Sequence, residues 1–305
     1  MRAGVGRLRI VDRDFVEPSN LQRQTLFEEA DATGALPKAV AAERRLKAIN
    51  SEVQVEAVVA DLNPQNAGDC LRGFPLLLDG TDNFETRLLL NDYAVRQGVP
   101  WIYAAAVSSY GVTMPILPGQ TPCLACLLES DEPNESGSPE LAPAPLLEPT
   151  CDTVGVLGAA AGVIASIEAA SAMKILLGKP QAFDGRLVSC DVWSGRFQSI
   201  RVTRRPACRA CGRGDFRYLN GEAQPHLTMC GRDSVQIHER RRRLDLAELA
   251  RQLTAGGNPV RQNGFLLKLG VPPYELTVFA DGRAIIKGTR DLAVARSLYA
   301  RYIGA

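Results

Sequence analysis

The sequence predicts an α/β protein with a doubly wound, mostly parallel sheet, followed by a small α+β domain. Three observations support this fold class. Strand-like and helix-like segments alternate through the first two thirds of the chain, and acidic residues follow apolar strand-like runs. Beyond residue 220 the pattern changes to a smaller βαβββα unit. We therefore expect two domains, residues 1–220 and residues 221–305.

Composition limits the classes of partner. The 305 residues are 46% hydrophobic, which is enough for a substantial core. Lys and Arg number 35 against 34 Asp and Glu, so no net field attracts nucleic acid or a membrane. The most apolar stretch, residues 154–178, contains Glu168 and Lys174, which favours a closely packed helix over a membrane span. We expect a cytoplasmic protein that binds neither nucleic acid nor membrane.

The first strand ends on an acid. The apolar run at residues 8–11 leads to Asp12, and ligands bind at the carboxyl ends of parallel strands. Asp12 either accepts hydrogen bonds from ribose hydroxyls or starts a turn. Four planar polar residues follow within five positions, a cluster suited to binding phosphate or carboxylate: Asn20, Gln22, Arg23 and Gln24. The strand resembles the second strand of a Rossmann-like sheet, because the preceding AGVG lacks the spacing of a phosphate-binding glycine loop.

The next segments continue the alternation of helix and strand. Residues 37–50 predict an amphipathic helix with Pro37 in its first turn. Residues 53–60 and residues 100–107 predict strands.

Between these two strands lies another predicted strand that leads into an acidic turn. Residues 74–98 predict a buried strand, an acidic turn and a helix, which places Asp79 and Asp82 at the carboxyl end of that strand.

A segment rich in Pro, Glu and Ser, from about 129 to 150, predicts a mobile loop. Long loops in compact domains tend to be functional.

Two C-x-x-C pairs predict a metal site. Each pair can present two sulfurs to one ion, so Cys123 and Cys126 together with Cys208 and Cys211 predict a four-thiolate Zn²⁺ site. The metal would connect distant segments of the domain. A redox dithiol is the competing interpretation, but it does not require a second pair.

The C-terminal pattern predicts a compact sheet with two helices. Strands are predicted at residues 233–238, 259–271, 274–282 and 283–289, with an Asp-Gly hairpin signal in ADGR. One helix ends on Gly256 and Gly257, and the last helix begins at the cap Asp291. The open sheet could bind a partner protein, or it could serve as a packing domain.

Six blocks, in order, resemble the ThiF/MoeB/HesA family, the bacterial relatives of ubiquitin-activating enzymes. The resemblance covers residues 3–214 and rests on VDRDFVEPSNLQRQTLF, LPKAVAAERRLKAIN, LLLDGTDNFETRLLLND, PCLACL, CDTVGVLGAAAGVIASIEAASAMKILLG and PACRACG. It implies a homodimer with a structural zinc. It also implies an enzyme that uses ATP to adenylate the C-terminal glycine of a ubiquitin-like sulfur carrier protein, for thiamine, molybdenum cofactor or related biosynthesis.

The resemblance assigns roles to individual residues. It implies that Asp12 holds the ribose of ATP and that Asn20, Arg23 and Lys38 contact the phosphates. Asp82 would position Mg²⁺ and orient the attacking carboxylate, so Arg23 and Asp82 are the expected catalytic residues. The complete nucleotide-binding set that it implies is Asp12, Asn20, Arg23, Lys38, Asp82 and Asn83.

A third catalytic candidate is a cysteine. Many family members carry a cysteine in the crossover loop, and in some it joins covalently to the carrier during sulfur transfer. Cys151 falls at this place, between the Pro-rich segment and a Gly-rich helix entry. The thiolate would be exposed, and a helix N-terminus would lower its pKa. The alternative is an incidental free thiol.

Relatives in this family begin some tens of residues earlier, with the glycine loop of the ATP site. We therefore expect the 305-residue chain to lack the central strand, to be poorly soluble and not to turn over ATP until it is extended upstream by a strand, a glycine-rich turn and a helix. An inactive truncated homologue or scaffold subunit of the same descent is one alternative function. An NAD-dependent dehydrogenase is another, although it gives no role to the polar cluster or the cysteine pairs.

Overall fold

The protein forms two compact units in a computed structural model that describes residues 1–128, 155–222, 234–237 and 243–304. Unit 1 comprises residues 1–21, 25–61 and 225–305. Unit 2 comprises residues 22–24 and 62–224. The predicted domain boundary at residue 220 stays a prediction, and in the structure most of the first 61 residues group with the C-terminal part of the chain.

Unit 1 begins with a strand–helix–strand arrangement. Its elements are β1 (Arg7–Asp12), a 3₁₀ helix (Pro18–Asn20), α1 (Glu29–Thr33), α2 (Lys38–Ile49) and β2 (Gln54–Val59). The two strands are parallel neighbours, with Asp12 opposite Val59. Helix α2 packs against both strands through small buried side chains, which are Ala39, Ala41 and Ala42. The parallel strands predicted for this α/β fold are confirmed here, and Asp12 lies at the carboxyl end of β1.

The C-terminal part of unit 1 is an antiparallel sheet with two helices. Its elements are β8 (Ser234–Ile237), α7 (Leu246–Ala255), β9 (Val260–Gln262), β10 (Leu266–Val271), β11 (Tyr274–Phe279), β12 (Ala284–Lys287) and α8 (Leu292–Tyr302). The strand order is β8-β12-β11-β10-β9. Asp245 and Asp291 cap the two helices, since each side chain accepts hydrogen bonds from two backbone N–H groups of the first turn. The Asp-Gly hairpin predicted between β11 and β12 is confirmed.

One prediction for this sheet was wrong. Residues 259–271 form two antiparallel strands, β9 and β10, rather than one. The chain reverses at Asn263 and Gly264, because the Asn263 side-chain oxygen accepts hydrogen bonds from the N–H groups of Phe265 and Leu266, both at 2.9 Å. Asn-Gly is a hairpin signal, and it outweighs the apolar residues on either side.

Unit 2 contains the second sheet. Its elements are α3 (Ala67–Leu71), β3 (Leu77–Leu78), α4 (Phe84–Gln97), β4 (Trp101–Val107), β5 (Tyr110–Ile116), α5 (Leu124–Leu128), α6 (Gly158–Leu176), a 3₁₀ helix (Pro180–Ala182), β6 (Arg186–Asp191) and β7 (Arg196–Arg201). The strand order is β3-β4-β5-β6-β7, with β3 and β4 parallel and the other pairs antiparallel. Helix α6 packs on the sheet through Ile164, which contacts Ala104 and Cys190.

Helix α6 is long and apolar enough to cross a membrane by length and composition alone. In an 18-residue window of this helix, 22% of the residues are buried. Core helices of soluble proteins pass the same test, and Glu168 of α6 is itself buried and hydrogen-bonded within unit 2.

Three strands of the parallel pairs have a single strand neighbour. Within the described residues, β1 and β2 pair only with each other, and β3 pairs only with β4. Each strand therefore has one edge at which another strand could add.

Candidate functional site

The turn between β3 and α4 carries the acid predicted to take part in catalysis. Asp82 is exposed, and Asn83 caps α4. The Asn83 side-chain oxygen accepts a hydrogen bond from the N–H of Thr86 at 2.8 Å. This cap fixes the first turn of α4 beside Asp82. Asp82 thus lies at the carboxyl end of a parallel strand, as the sequence predicted, with its carboxylate open to solvent.

A buried ionic cluster supports this turn. Oδ2 of Asp79 lies 3.2 Å from Nε of Arg87, and Oδ1 accepts hydrogen bonds from the N–H and hydroxyl of Thr81, both at 2.8 Å. The Arg87 guanidinium also donates to the carbonyl oxygens of Thr81 and Ala104. Glu168 of α6 accepts a hydrogen bond from the N–H of Asp79 at 3.0 Å. The acidic turn is therefore tied to α4, β4 and α6.

The cluster holds two carboxyl groups and one guanidinium. The pKa of Glu168 is raised to about 8, first because burial disfavours its charged form and second because Asp79 is negative. Burial also raises the pKa of Asp79, while Arg87 and the hydrogen bonds from Thr81 oppose this effect. We therefore assign the negative charge to Asp79, paired with Arg87, and a proton to Glu168 at neutral pH.

Arg23 lies close to the beginning of α6. The Gln22 side chain donates a hydrogen bond to the carbonyl of Val156 at 3.1 Å. A Cβ atom at Gly158 would lie 2.4 Å from the Gln22 carbonyl oxygen and 3.4 Å from Cα of Arg23, so only glycine permits this approach. The backbone of Arg23 is thus held against the first residue of α6.

Three other predicted nucleotide-binding residues lie in unit 1. Asp12 accepts a hydrogen bond from the N–H of Asp14 at 2.8 Å, and Asp14 pairs with Nζ of Lys38 at 3.1 Å. Lys38 is therefore a paired lysine whose side chain is only 12% exposed, not a solvated one. Asn20 is buried, and its side chain caps a short helix by accepting a hydrogen bond from the N–H of Glu17.

The structure brings the four predicted metal ligands together. The sulfur atoms of Cys123, Cys126, Cys208 and Cys211 all lie within 4.8 Å of one another, and three of these residues are buried. Measured S···S distances are 3.6 Å for Cys123 to Cys208 and 3.4 Å for Cys126 to Cys211. Tetrahedral Zn–S bonds of about 2.3 Å would place the sulfurs about 3.8 Å apart. The cluster fits one tetrahedral ion, and its sulfurs are too far apart for disulfides.

Helix α4 holds both C-x-x-C segments. The Asn91 side chain accepts a hydrogen bond from the N–H of Leu124 at 2.8 Å, beside Cys123. The next residue, Asp92, forms a bidentate ion pair with Arg209, at 3.0 and 3.1 Å, between the other two cysteines. Arg209 also lies over the ring of Tyr218. Adjacent residues of one helix thus orient both halves of the cluster, and the same helix begins at the acidic turn.

Cys151 and the predicted loop at residues 129–150 lie outside the described residues. Sequence reasoning did not identify Arg87, Asp92 and Glu168 as part of the site. The sequence nevertheless contained a signal for these three residues, because each is a charged residue within a helix that packs in the core. A buried charged residue must be paired or neutral.

Comparisons with known proteins agree with the geometry. The ThiF family model matches residues 1–210. The chain is 41% identical, over all of its length and 87% of the relative's, to a protein of Bacillus subtilis strain 168 named sulfur carrier protein ThiS adenylyltransferase. It is 38% identical to a sulfur carrier protein adenylyltransferase of Thermus thermophilus, over 69% of this chain and 74% of that one.

A solved structure shares the fold. A crystal structure of E. coli MccB with MccA-N7isoASN matches with a TM-score of 0.56 and 25% identity. The match covers 69% of this chain and 61% of that one, which is less than two thirds of the solved chain.

Proposed function

The chain belongs to the ThiF family, and on that premise we propose that it activates the C-terminal glycine of a ubiquitin-like sulfur carrier protein by adenylation. The observation that carries the proposal is the 41% identity to a ThiS adenylyltransferase over the whole chain, including the C-terminal part. A ThiS carrier is therefore the first substrate to test.

The reaction transfers AMP to a carboxylate. A carboxylate oxygen of the carrier attacks the α-phosphorus of ATP, the bond to pyrophosphate breaks, and an acyl-adenylate and pyrophosphate are formed. Because the carboxylate is already nucleophilic, the protein contributes mainly by positioning the reactants and by offsetting the charge on the leaving group.

We propose that Asp82 holds Mg²⁺ and that Arg23 contacts the phosphates of ATP. Two features support these roles. Asp82 is an exposed carboxylate on a turn fixed by the buried Asp79–Arg87 ion pair, and carboxylates are usual ligands of Mg²⁺. Arg23 is held against the beginning of the 19-residue helix α6, whose N–H groups attract anions.

The roles in unit 1 follow the same resemblance. Asp12, at the carboxyl end of β1, would accept hydrogen bonds from ribose hydroxyls. Lys38 and Asn20 would contact phosphate, and Asp14 holds the Lys38 ammonium group in place. The side-chain oxygen of Asn83 caps α4. The N–H₂ group of the same amide would donate a hydrogen bond to the nucleotide.

We propose Zn²⁺ as the ion of the four-cysteine cluster. Four thiolates in a tetrahedral arrangement with no open position are typical of structural zinc. The buried Asp92–Arg209 pair and the Asn91 hydrogen bond support a rigid site of this kind. The zinc would stabilise the fold and would not contact the nucleotide.

We further propose a cytoplasmic homodimer. Several large apolar side chains at and after the end of α6 and on the following hairpin are exposed, which is unfavourable in a monomer: Met173, Leu176, Leu177, Trp193 and Phe197. Light scattering on the natural protein should give twice the chain mass.

The covalent role of Cys151 in sulfur transfer also stays a proposal. Its test is whether a reduction-sensitive adduct with the carrier is lost in Cys151→Ser.

The test of function is ATP–pyrophosphate exchange by the natural full-length protein. Exchange should require both ATP and ThiS carrier, and it should disappear when the carrier lacks its C-terminal glycine. Exchange that needs no carrier would contradict the proposed substrate. Absence of exchange with any ubiquitin-like carrier would favour the alternative of an inactive scaffold.

A further inference from the structure

Both faces of the C-terminal sheet of unit 1 carry buried side chains. Helices α7 and α8 cover one face, with Leu253 and Tyr299 in the shared core. Successive side chains of a strand point to opposite faces of the sheet, so the strand residues outside this core point to the other face. We call this the inner face. It comprises Ser234, Gln236, Leu266, Lys268, Gly270, Glu275, Thr277, Phe279, Ile285 and Lys287. Its six uncharged side chains are between 1% and 7% exposed. The sequence left a partner surface and a packing domain as alternatives, and the buried centre of the inner face favours the packing domain.

Phe15 covers the centre of the inner face. It forms one buried cluster with Leu266, Phe279 and Ile285. The rings of Phe15 and Phe279 are 6.4 Å apart between centroids, and the Lys268 ammonium lies 4.5 Å from the centroid of Phe15. The segment that follows Asp12 is thus anchored to the sheet by an aromatic side chain.

Polar contacts extend this anchor on both sides of Phe15. Arg283, which is fully buried, donates a hydrogen bond to the carbonyl of Arg13 at 3.2 Å. Lys287 pairs with the carboxylate of Glu17 at 2.6 Å. Residues 13–17 are therefore held at both ends and in the middle.

A second segment is held by Asn263. Its side-chain N–H₂ donates to the carbonyl oxygens of Gly34 at 2.8 Å and Ala35 at 3.1 Å. Ala35 has φ of +45°, a left-handed conformation that is unfavourable for alanine. The hydrogen bonds from Asn263 stabilise this conformation one turn before Lys38.

The two segments are also joined to each other. The N–H of Val16 donates to the carbonyl of Leu36 at 2.8 Å, and the N–H of Lys38 donates to the carbonyl of Asp14 at 2.9 Å. The inner face therefore holds a layer of two segments. Asp12 precedes the first segment, Lys38 belongs to the second, and the Asn20 side chain accepts a hydrogen bond from the N–H of Glu17 at the end of the first.

We propose that the C-terminal sheet is a positioning element for ATP, and that Asn263 is one of its positioning residues. The proposal rests on the proposed function for the identity of the ligand. The sheet itself does not touch the nucleotide. It fixes residues 13–17 and 34–38, and these fix the relative positions of Asp12, Asn20 and Lys38.

The test uses Asn263→Asp in the natural full-length protein. Aspartate keeps the oxygen that accepts hydrogen bonds from Phe265 and Leu266, so the hairpin is retained, but it loses both donors to the second segment. Asn258→Asp is the matched control. It makes the same change of charge and loses one hydrogen bond, to Leu253, inside the C-terminal part.

Two measurements are compared. Hydrogen exchange followed by mass spectrometry should show faster exchange in peptides covering residues 13–17 and 34–38 for Asn263→Asp and not for Asn258→Asp. In the adenylation assay, KM for ATP should rise about five- to tenfold for Asn263→Asp, with a much smaller change in kcat, because the loss of two hydrogen bonds disorders the ATP contacts of unit 1.

Each outcome is decisive. Unchanged exchange in both peptides would overturn the anchoring by Asn263. Faster exchange with an unchanged KM would show that the sheet is structural only, and would overturn the positioning role. If the unmodified protein fails to adenylate any carrier, the proposed function fails and the ATP-positioning role fails with it, while the exchange comparison still reports whether the anchoring exists.

Discussion

The buried Glu168 makes the stability of unit 2 depend on pH. Its pKa is raised from 4.5 to about 8 by burial and by Asp79. The native state therefore retains a proton that the unfolded chain releases, and the stabilisation is complete below pH 4.5 and is lost as pH rises through about 8. Each pH unit in this window lowers the free energy of unfolding by at most about 1.4 kcal/mol. Across the whole window the loss is at most about 5 kcal/mol.

The perturbation that isolates this effect is Glu168→Gln. Glutamine is neutral at all pH values and retains an oxygen that can accept the hydrogen bond from the N–H of Asp79. The difference in unfolding free energy between the two proteins should therefore change by several kcal/mol from about pH 5 to about pH 9, in favour of the variant at high pH. Effects of titrating groups remote from Glu168 cancel in this difference, so the coupled pair of Glu168 and Asp79 is what it reports.

Urea unfolding followed by tryptophan fluorescence is a suitable assay. The chain has two tryptophans, and both Trp101 and Trp193 lie in unit 2 with Glu168. The signal therefore reports this unit rather than the C-terminal sheet. Parallel pH profiles for the unmodified protein and the Glu168→Gln variant would refute the assignment of the proton to Glu168.

Three further predictions concern the site. Metal analysis should find one zinc per chain, and Cys208→Ser should lose it; a protein purified without chelators that contains no metal would contradict the cluster assignment. Asp92→Asn leaves the buried Arg209 charge unpaired, so the free energy of unfolding of unit 2 should fall by about 3–5 kcal/mol. Zinc should also be released faster to a chelator. Unchanged stability would mean that the ion pair is dispensable. Asp82→Asn should reduce pyrophosphate exchange by about 100-fold or more, whereas the exposed control Asp184→Asn should not; equal rates would exclude Asp82 from catalysis.

Local signals in the sequence predicted much of this fold. Asp12 and Asp82 were placed at strand ends because an apolar run that ends on an acid is a local pattern. The cap at Asp291 depends on neighbouring residues in the same way. The four cysteines were recognised because two C-x-x-C pairs have a single simple geometric solution. Each of these inferences needed only short-range information or a doubled motif.

The parts that the sequence did not predict depend on long-range packing. Glu168 is 89 residues from Asp79 in the chain, and only the folded sheet brings them together. The Asp92–Arg209 pair spans 117 residues. Phe15 covers the C-terminal sheet across a long separation in the chain, which no local pattern specifies. The hairpin at Asn263 was different, since its Asn-Gly signal was local and was outweighed in our interpretation by the flanking apolar residues.

Formation of the carrier acyl-adenylate tests the proposed adenylation most directly. The natural full-length protein, ThiS carrier, ATP and Mg²⁺ are mixed, and the carrier is examined by mass spectrometry together with pyrophosphate release. We expect AMP on the C-terminal glycine of the carrier and one pyrophosphate for each adenylate, with both products lost in Arg23→Ala. Pyrophosphate release without carrier-bound AMP, or an unmodified carrier under conditions in which ATP binds, would contradict the proposed adenylation.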